Sequence, residues 1–174
     1  LSRRNVTTGI AYFWDSRENG SSHYAEDYVG GYGAFSPVDP CTDGIYVPPV
    51  FKKSQGLETG KASHERYLPV AQGFMVQGVT SGKMIFRNTH RKLPPKKTQI
   101  TPRTTKKTHE HTGTKTEITL VQLKISVNDV YERVISMAFW DEATAGVDAG
   151  MDAEAFQLAP TDVGWLQDGS SYVI

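Results

Sequence analysis

Closely spaced carboxylates and glycines occur together in the segment 141–152, DEATAGVDAGMD. Asp141, Asp148 and Asp152 offer side-chain oxygens, and the glycines between them allow backbone carbonyls to approach, as a hard cation such as calcium requires. The spacing does not match an EF-hand loop, and Asp is also a common turn former that bonds its own backbone. The segment therefore leaves two alternatives open, a calcium site and a structural turn.

Exposed aromatic residues form a second candidate site. Trp14, Tyr28 and Tyr32 lie near Gly-rich stretches, and sugars stack on aromatic faces through their apolar C–H surfaces. The same residues could instead belong to a core, or to irregular chain that crosses the end of a sheet. The composition of 23–49, rich in Gly, Pro and Tyr, favours irregular chain there.

No catalytic set is apparent in the sequence. His109 and His111 have the spacing that puts two imidazoles on one face of a strand, as a zinc site could use, but they lie in a polar segment that favours adventitious binding. The single cysteine, Cys41, excludes a disulfide framework and a multi-cysteine metal site. The chain lacks GxSxG, HExxH and a phosphate-binding glycine loop. We therefore expect a non-enzymatic protein, since a hydrolase would need a carboxylate pair in a cleft.

Size and charge narrow the class of protein further. The chain has 174 residues and equal numbers of basic and acidic side chains, 19 of each. This length predicts a single domain, 1–174, and a net charge of zero gives no general attraction to nucleic acid. No apolar run approaches the roughly 18 residues that span a bilayer, so we expect no membrane insertion. The basic, proline-containing and nearly apolar-free segment 88–116 is predicted to be a mobile loop that does not read nucleic acid.

Most of the elements that could position the candidate site residues are predicted to be β-strands. The segment Glu117 to Trp140 alternates apolar and polar residues on both sides of Asn128-Asp129, which predicts a β-hairpin that forms the core. A second hairpin is predicted over Tyr67 to Arg87, and a third around the Asp168-Gly169 turn. The run Gly9 to Asp15 predicts a strand, 50–66 a surface loop, and 153–158 a short helical turn. Together these patterns predict an all-β fold, a β-sandwich of jelly-roll type with long loops and little helix.

Two stretches resemble a known family. Their matching residues are Pro69, Gln72, Gly73, Phe74, Val76, Phe86, Asn88 and Arg91 in the first, and Ala143, Thr144, Gly146, Asp148, Gly150, Asp152 and Ala153 in the second. With the Phe13-Trp14-Asp15 run, they are similar in order and spacing to a module of large secreted Bacteroidetes proteins, found upstream of type IX secretion sorting domains.

The resemblance implies an all-β module that is extracellular or on the outer cell surface. We also expect the sequence to be a piece excised from a longer protein, because it starts at Leu1 and stops on the strand-like Tyr172-Val173-Ile174. Its expected role is structural or adhesive, with carbohydrate binding as the alternative. Neighbouring domains of the parent chain and an extracellular glycan or surface protein are the expected partners. The family has no catalytic residues to carry over, and calcium at Asp148 and Asp152 would fit the pattern.

Overall fold

The computed structural model describes residues 6–16, 24, 29–37, 44–53, 56–62, 64, 66–92, 118–156 and 159–174. Its regular structure in these ranges is strand throughout, apart from one 3₁₀ turn at Asn88–His90, which confirms the all-β prediction. The strands are β1 (Thr7–Ser16), β2 (Gly30–Ser36), β3 (Ile45–Val47), β4 (Val50–Lys53), β5 (Gly56–Thr59), β6 (Met75–Gly78), β7 (Thr119–Val127), β8 (Tyr131–Phe139), β9 (Trp165–Gln167) and β10 (Ser170–Tyr172). No helix in the described ranges is long and apolar enough to cross a membrane.

The largest sheet has the strand order β3-β2-β1-β6, and its neighbouring strands are antiparallel. Apolar side chains cover both of its faces, because Ile10 and Tyr12 belong to one buried cluster while Ala11 and Phe13 belong to another. A strand that is buried on both faces has a nearly continuous apolar sequence. This explains why the predicted strand at Gly9 to Asp15 is confirmed although its residues do not alternate in polarity.

The larger cluster joins this sheet to the second half of the chain. It combines Ile10 and Tyr12 of β1 and Val47 of β3 with Ile135 of β8 and the C-terminal residue Ile174. Backbone hydrogen bonds from Ser136 N to Val173 O and from Val173 N to Ala153 O link β8, the C-terminal segment and the segment around Ala153. This larger part of the core thus lies between the four-stranded sheet and these later segments. A β-sandwich with a jelly-roll order of strands stays a prediction.

The hairpin formed by β7 and β8 is confirmed, but only half of it is core. Its turn residues Asn128 and Asp129 have φ values of 52° and 54°, which these two residue types tolerate. Tyr131 and Ile135 of β8 are buried, whereas most side chains of β7 are exposed. The interpretation of the whole hairpin as core was wrong for most of β7, because no other strand in the described ranges pairs with β7 or covers it.

The second predicted hairpin does not form. Only Met75–Gly78 is a strand, and its partner is β1 rather than the segment around Met84 and Phe86. The alternation of apolar and polar residues predicts which face of a strand is buried, but it does not identify the strand with which it pairs. The correct partner lies more than 60 residues earlier in the chain.

Three other predictions are corrected. The segment 50–66 contains the β4–β5 hairpin, with Val50 and Phe51 buried, and 23–49 contains β2 and β3. Glu154 forms an isolated β-bridge with Tyr172, and the described residues 153–156 contain no helical turn. The hairpin around Asp168-Gly169 is confirmed as β9 and β10. Residues 93–116 of the predicted basic loop lie outside the described residues.

Candidate functional site

Trp14 and Tyr32 face each other across the central strand pair of the large sheet. They are direct partners in the β1–β2 register, and their rings meet edge to face with centroids 5.0 Å apart. This geometry suits the quadrupoles of two aromatic rings, and such a pair contributes about 0.5–1.5 kcal/mol beyond its buried area. The pair fixes the orientation of Trp14, of whose surface 39% is exposed.

Gly30 provides the surface on which the Trp14 indole lies. A Cβ atom at position 30 would be 2.6 Å from Cζ2 and 2.8 Å from Cε2 of the indole. The ring therefore contacts the backbone of β2 directly, and any side chain at this position would displace it. A large aromatic ring held against glycine is typical of a position where an aromatic side chain shields bare strand backbone.

Phe156 and Tyr12 extend this pair into an aromatic row. The ring of Phe156 lies 5.2 Å from that of Tyr32 and 5.1 Å from that of Tyr12, and 46% of Phe156 is exposed. The Tyr12 hydroxyl donates a 3.1 Å hydrogen bond to Glu154 O, which holds the segment of Phe156 over the sheet. Burial, with smaller contributions from Glu154 and Tyr172, raises the pKa of Tyr12 to about 12, so this hydroxyl stays a donor at neutral pH. We call Trp14, Tyr32, Phe156 and Tyr12 the aromatic ladder.

The structure brings together two of the three predicted aromatic residues. Trp14 and Tyr32 are in direct contact, and Tyr28 lies outside the described residues. Phe156 was missed, because it is separated from Trp14 by more than 140 residues and its own neighbourhood predicted a helical turn. Only the path of the chain after β8 places it beside Tyr32.

The acidic segment forms a tightly hydrogen-bonded turn. The Asp148 carboxylate accepts hydrogen bonds from Thr144 N at 2.7 Å and Thr144 Oγ1 at 2.8 Å. The Asp152 carboxylate in turn accepts a 2.6 Å hydrogen bond from Asp148 N. Burial and the charge of Asp148 raise the pKa of Asp152, while the Asp148 N–H opposes this shift. Both carboxylates thus organise the backbone of their own loop, as Asp does in turns.

These hydrogen bonds are those of a structural turn, one of the two alternatives for this segment. Calcium takes about 6–8 oxygen ligands, and here both oxygens of Asp148 and Oδ2 of Asp152 accept hydrogen bonds within the loop. Asp141 lies on the exposed turn that follows β8. In the described part of the chain, no three His, Cys, Asp or Glu side chains are grouped closely enough to hold a metal ion. Calcium binding itself stays a prediction.

A separate polar cluster lies on the opposite face of β1. Asp15 Oδ2 accepts a 2.9 Å hydrogen bond from Ala62 N, and the His64 ring stacks on Phe13 with centroids 4.1 Å apart. Tyr46 meets His64 edge to face at 5.0 Å. Within the described residues, His64 Nε2 and the Tyr46 hydroxyl are buried without hydrogen-bond partners. Burial and the Asp15 charge raise the pKa of Tyr46, and burial lowers the pKa of His64 despite that charge.

A cavity of about 250 Å³ opens beside this cluster. It is lined by Asp15, Ser16, Phe51, Glu58, Thr59, Lys61 and Ala62. Asp15 and Glu58 are the two carboxylates in its wall, and one oxygen of Asp15 is bound to the Ala62 amide. The cavity is therefore the place where the hydrolase interpretation can be tested.

We expect His64 to make the stability of the protein depend on pH. Because its pKa is lowered in the folded state, the unfolded chain takes up a proton first as the pH falls through the ordinary histidine value of about 6.5. The free energy of unfolding should therefore decrease between about pH 7 and pH 5. His64→Phe, which keeps an aromatic ring on Phe13, should flatten this part of the profile in urea titrations. An unchanged slope in the variant would show that His64 is not buried in the neutral form.

Comparisons with known proteins found no matching family model, no similar curated protein and no similar solved structure. The resemblance to the Bacteroidetes module therefore stays a prediction.

Proposed function

We propose that the chain is a non-catalytic adhesive module of a secreted or cell-surface bacterial protein, and that it binds extracellular carbohydrate through the aromatic ladder. The observation that supports this most is the exposed indole of Trp14, held against Gly30 and supported at its side by Tyr32. An aromatic ring that is fixed before binding loses little conformational entropy when a ligand stacks on it. The Bacteroidetes-type module and its location outside the cell belong to this proposal.

The chemistry of the ladder matches a sugar better than a purely apolar ligand. The negative faces of aromatic rings attract polarised C–H groups, which line one side of many pyranose rings. Trp14 and Phe156 both expose a large fraction of their surface, and Tyr32 lies between them. Two exposed rings flanking a third give room for more than one sugar unit, which indicates an oligosaccharide or polysaccharide as the ligand.

Trp14→Ala should weaken glycan binding by at least about tenfold, equivalent to ~1.4 kcal/mol, because it removes the main stacking surface. The measurement is calorimetric titration with the polysaccharide that the wild-type protein binds best in a screen. Tyr67→Ala is the matched control, since Tyr67 is an exposed aromatic residue outside the ladder and should bind as the wild type does. Equal binding by wild type and Trp14→Ala, with both proteins folded, would contradict the proposal.

Two further experiments test whether glycan binding needs calcium and whether the protein hydrolyses the glycan. Repeating the titration with chelator tests the calcium prediction, and binding that needs calcium and is lost in Asp148→Asn would assign the acidic loop a metal. Following the glycan for hydrolysis tests the non-catalytic role. Cleavage that disappears in Glu58→Gln would instead favour a hydrolase acting in the cavity lined by Asp15 and Glu58. Failure to bind any glycan would leave a structural module that spaces neighbouring domains.

A further inference from the structure

The outer edge of β7 has the features of a strand that pairs with another chain. β7 is nine residues long, and within the described residues it pairs only with β8, in a register without interruption from Thr119 to Val127. Among the described residues, nothing pairs with the other side of β7, which presents a row of backbone N–H and C=O groups. Proteins usually protect such an edge with proline, a bulge or several charges. β7 contains neither proline nor bulge.

Apolar side chains accompany this open edge. Leu120, Val121 and Leu123 are 43%, 41% and 41% exposed, although a strand with one buried face would hide every second residue. Val121, Leu123 and Ile125 are on the same face as Ile135 of β8, which belongs to the core. A strand added beside β7 would therefore cover apolar surface that continues the core.

The order of residues in β7 indicates that the added strand is a second copy of β7. Lys124 is the one charged residue of the strand, and its ammonium lies 2.5 Å from the exposed Glu132 carboxylate. In an antiparallel pair of two β7 strands centred on Leu123, Lys124 is opposite Gln122 of the second copy, so no like charges meet. The same register puts Val121 opposite Ile125 and Leu123 opposite Leu123, while the whole length of the strand is used. β7 is thus complementary to itself, as a two-fold interface requires.

We propose that β7 is a dimerisation edge, where two copies of this chain join through antiparallel β7–β7 pairing centred on Leu123. The pairing extends the β7–β8 hairpin into a four-stranded sheet across the two-fold axis. Backbone hydrogen bonds provide affinity, and the matching apolar face determines the register, as in other cases of strand addition. This inference is independent of the proposed carbohydrate binding.

Sedimentation equilibrium over a concentration series tests the association. The protein should form a dimer with a Kd on the order of micromolar, because one added strand buries less than the ~1,600 Å² of a standard interface. Leu123→Lys should weaken the dimer at least about tenfold by placing two ammonium groups opposite each other. Val70→Lys is the matched control, since Val70 is fully exposed and lies outside β7, and it should dimerise as the wild type does. A monomer at all concentrations, or a dimer unaffected by Leu123→Lys, would overturn the proposal.

Disulfide trapping tests the register and does not depend on a destabilising variant. In a Cys41→Ser background, Leu123→Cys should give an intermolecular disulfide, because directly opposite residues have Cβ atoms about 4.5–5.5 Å apart. Thr119→Cys should not, since eight residues at about 3.3 Å each separate the two copies of that position by roughly 26 Å along the strands. Trapping at Thr119→Cys, or at neither position in a protein that sediments as a dimer, would overturn the pairing of β7 with a second copy.

Discussion

Asp162→Ala should destabilise the protein by about 3–5 kcal/mol, because it leaves the Arg133 guanidinium buried without its counter-ion. The two side chains are only 3% and 5% exposed. Arg133 Nε donates a 2.6 Å hydrogen bond to Asp162 Oδ1, and Nη2 donates to Oδ2. Ala159 N and Val163 N each donate to the same carboxylate at 2.9 Å, so Asp162 also organises the backbone of its own loop. Urea unfolding of the variant measures the loss.

Arg133→Met is the matched variant and should be the milder change. It leaves Asp162 with the Ala159 and Val163 amides, while its methionine fills much of the volume of the arginine. The double variant should lose less than the sum of the two single losses, since neither charge is then left alone. A loss of less than about 1 kcal/mol in Asp162→Ala would show that the ion pair is exposed in solution.

The same pair should determine part of the acid sensitivity of the protein. Burial alone would raise the pKa of Asp162, but the hydrogen bonds from Arg133, Ala159 and Val163 together with the Arg133 charge lower it below its ordinary value. The stabilisation is therefore complete above the pKa of the unfolded carboxyl, about 3.9, and is lost as the pH falls through the lower folded value. Below about pH 4, the wild type should lose stability more steeply than Asp162→Ala.

Gly9→Ala should destabilise the protein by about 2–5 kcal/mol, the sum of backbone strain and a steric clash. Gly9 has a φ of 83°, and its hydrogen atoms face Gly150, so that a Cβ would lie 2.7 Å from Gly150 Cα. Gly150 N donates a 2.6 Å hydrogen bond to Thr8 O at the same crossing. The new methyl group would therefore separate the acidic loop from β1.

Two other glycines separate these two effects. Gly169 has a φ of 84° but open space around its Cβ position, so Gly169→Ala should cost only the strain of about 1–2 kcal/mol. Gly73 has no positive φ, and no atom of the described residues would lie within 4 Å of its Cβ, so Gly73→Ala should change stability by less than about 0.5 kcal/mol. Thermal unfolding of the three variants checks the order. Equal losses at Gly9 and Gly169 would show that the contact with Gly150 is absent.

Residues adjacent in sequence were sufficient to predict the strands and turns whose conformation depends on few neighbours. Asn128-Asp129 and Asp168-Gly169 predicted hairpins because these residues adopt positive φ readily, and the structure has positive φ at all four. The aromatic run of β1 predicted a strand because large and β-branched side chains fit a pleated surface. All of these inferences use residues that are adjacent in sequence.

Interactions between distant segments could not be predicted in this way. The glycines of 30–33 indicated irregular chain, yet they form β2, because the rings of Trp14 and Tyr46 lie against Gly30 and Gly33 and shield their backbone. The partner of β6 depends on a strand more than 60 residues away.

The candidate site shows the same division between local and distant signals. Trp14 and Tyr32 could be predicted as binding residues from their residue types. Phe156 could not, because only the path of the chain after β8 brings it beside Tyr32. Asp148 and Asp152 could be predicted from the sequence as a pair of candidate ligands. Their role in the turn depends on the positions of Thr144 and the backbone amides, which the sequence alone does not give.

Glycan binding at Trp14 can be tested most directly by following the indole N–H resonances in a ¹H–¹⁵N spectrum during titration with a bound glycan. The protein has three tryptophans, and the resonance that disappears in Trp14→Phe identifies Trp14. The proposed function predicts that glycan shifts this resonance most, while that of Trp165, whose indole donates to Ser136 O, stays in place. Binding that leaves the Trp14 resonance unmoved would contradict the aromatic ladder as the binding site.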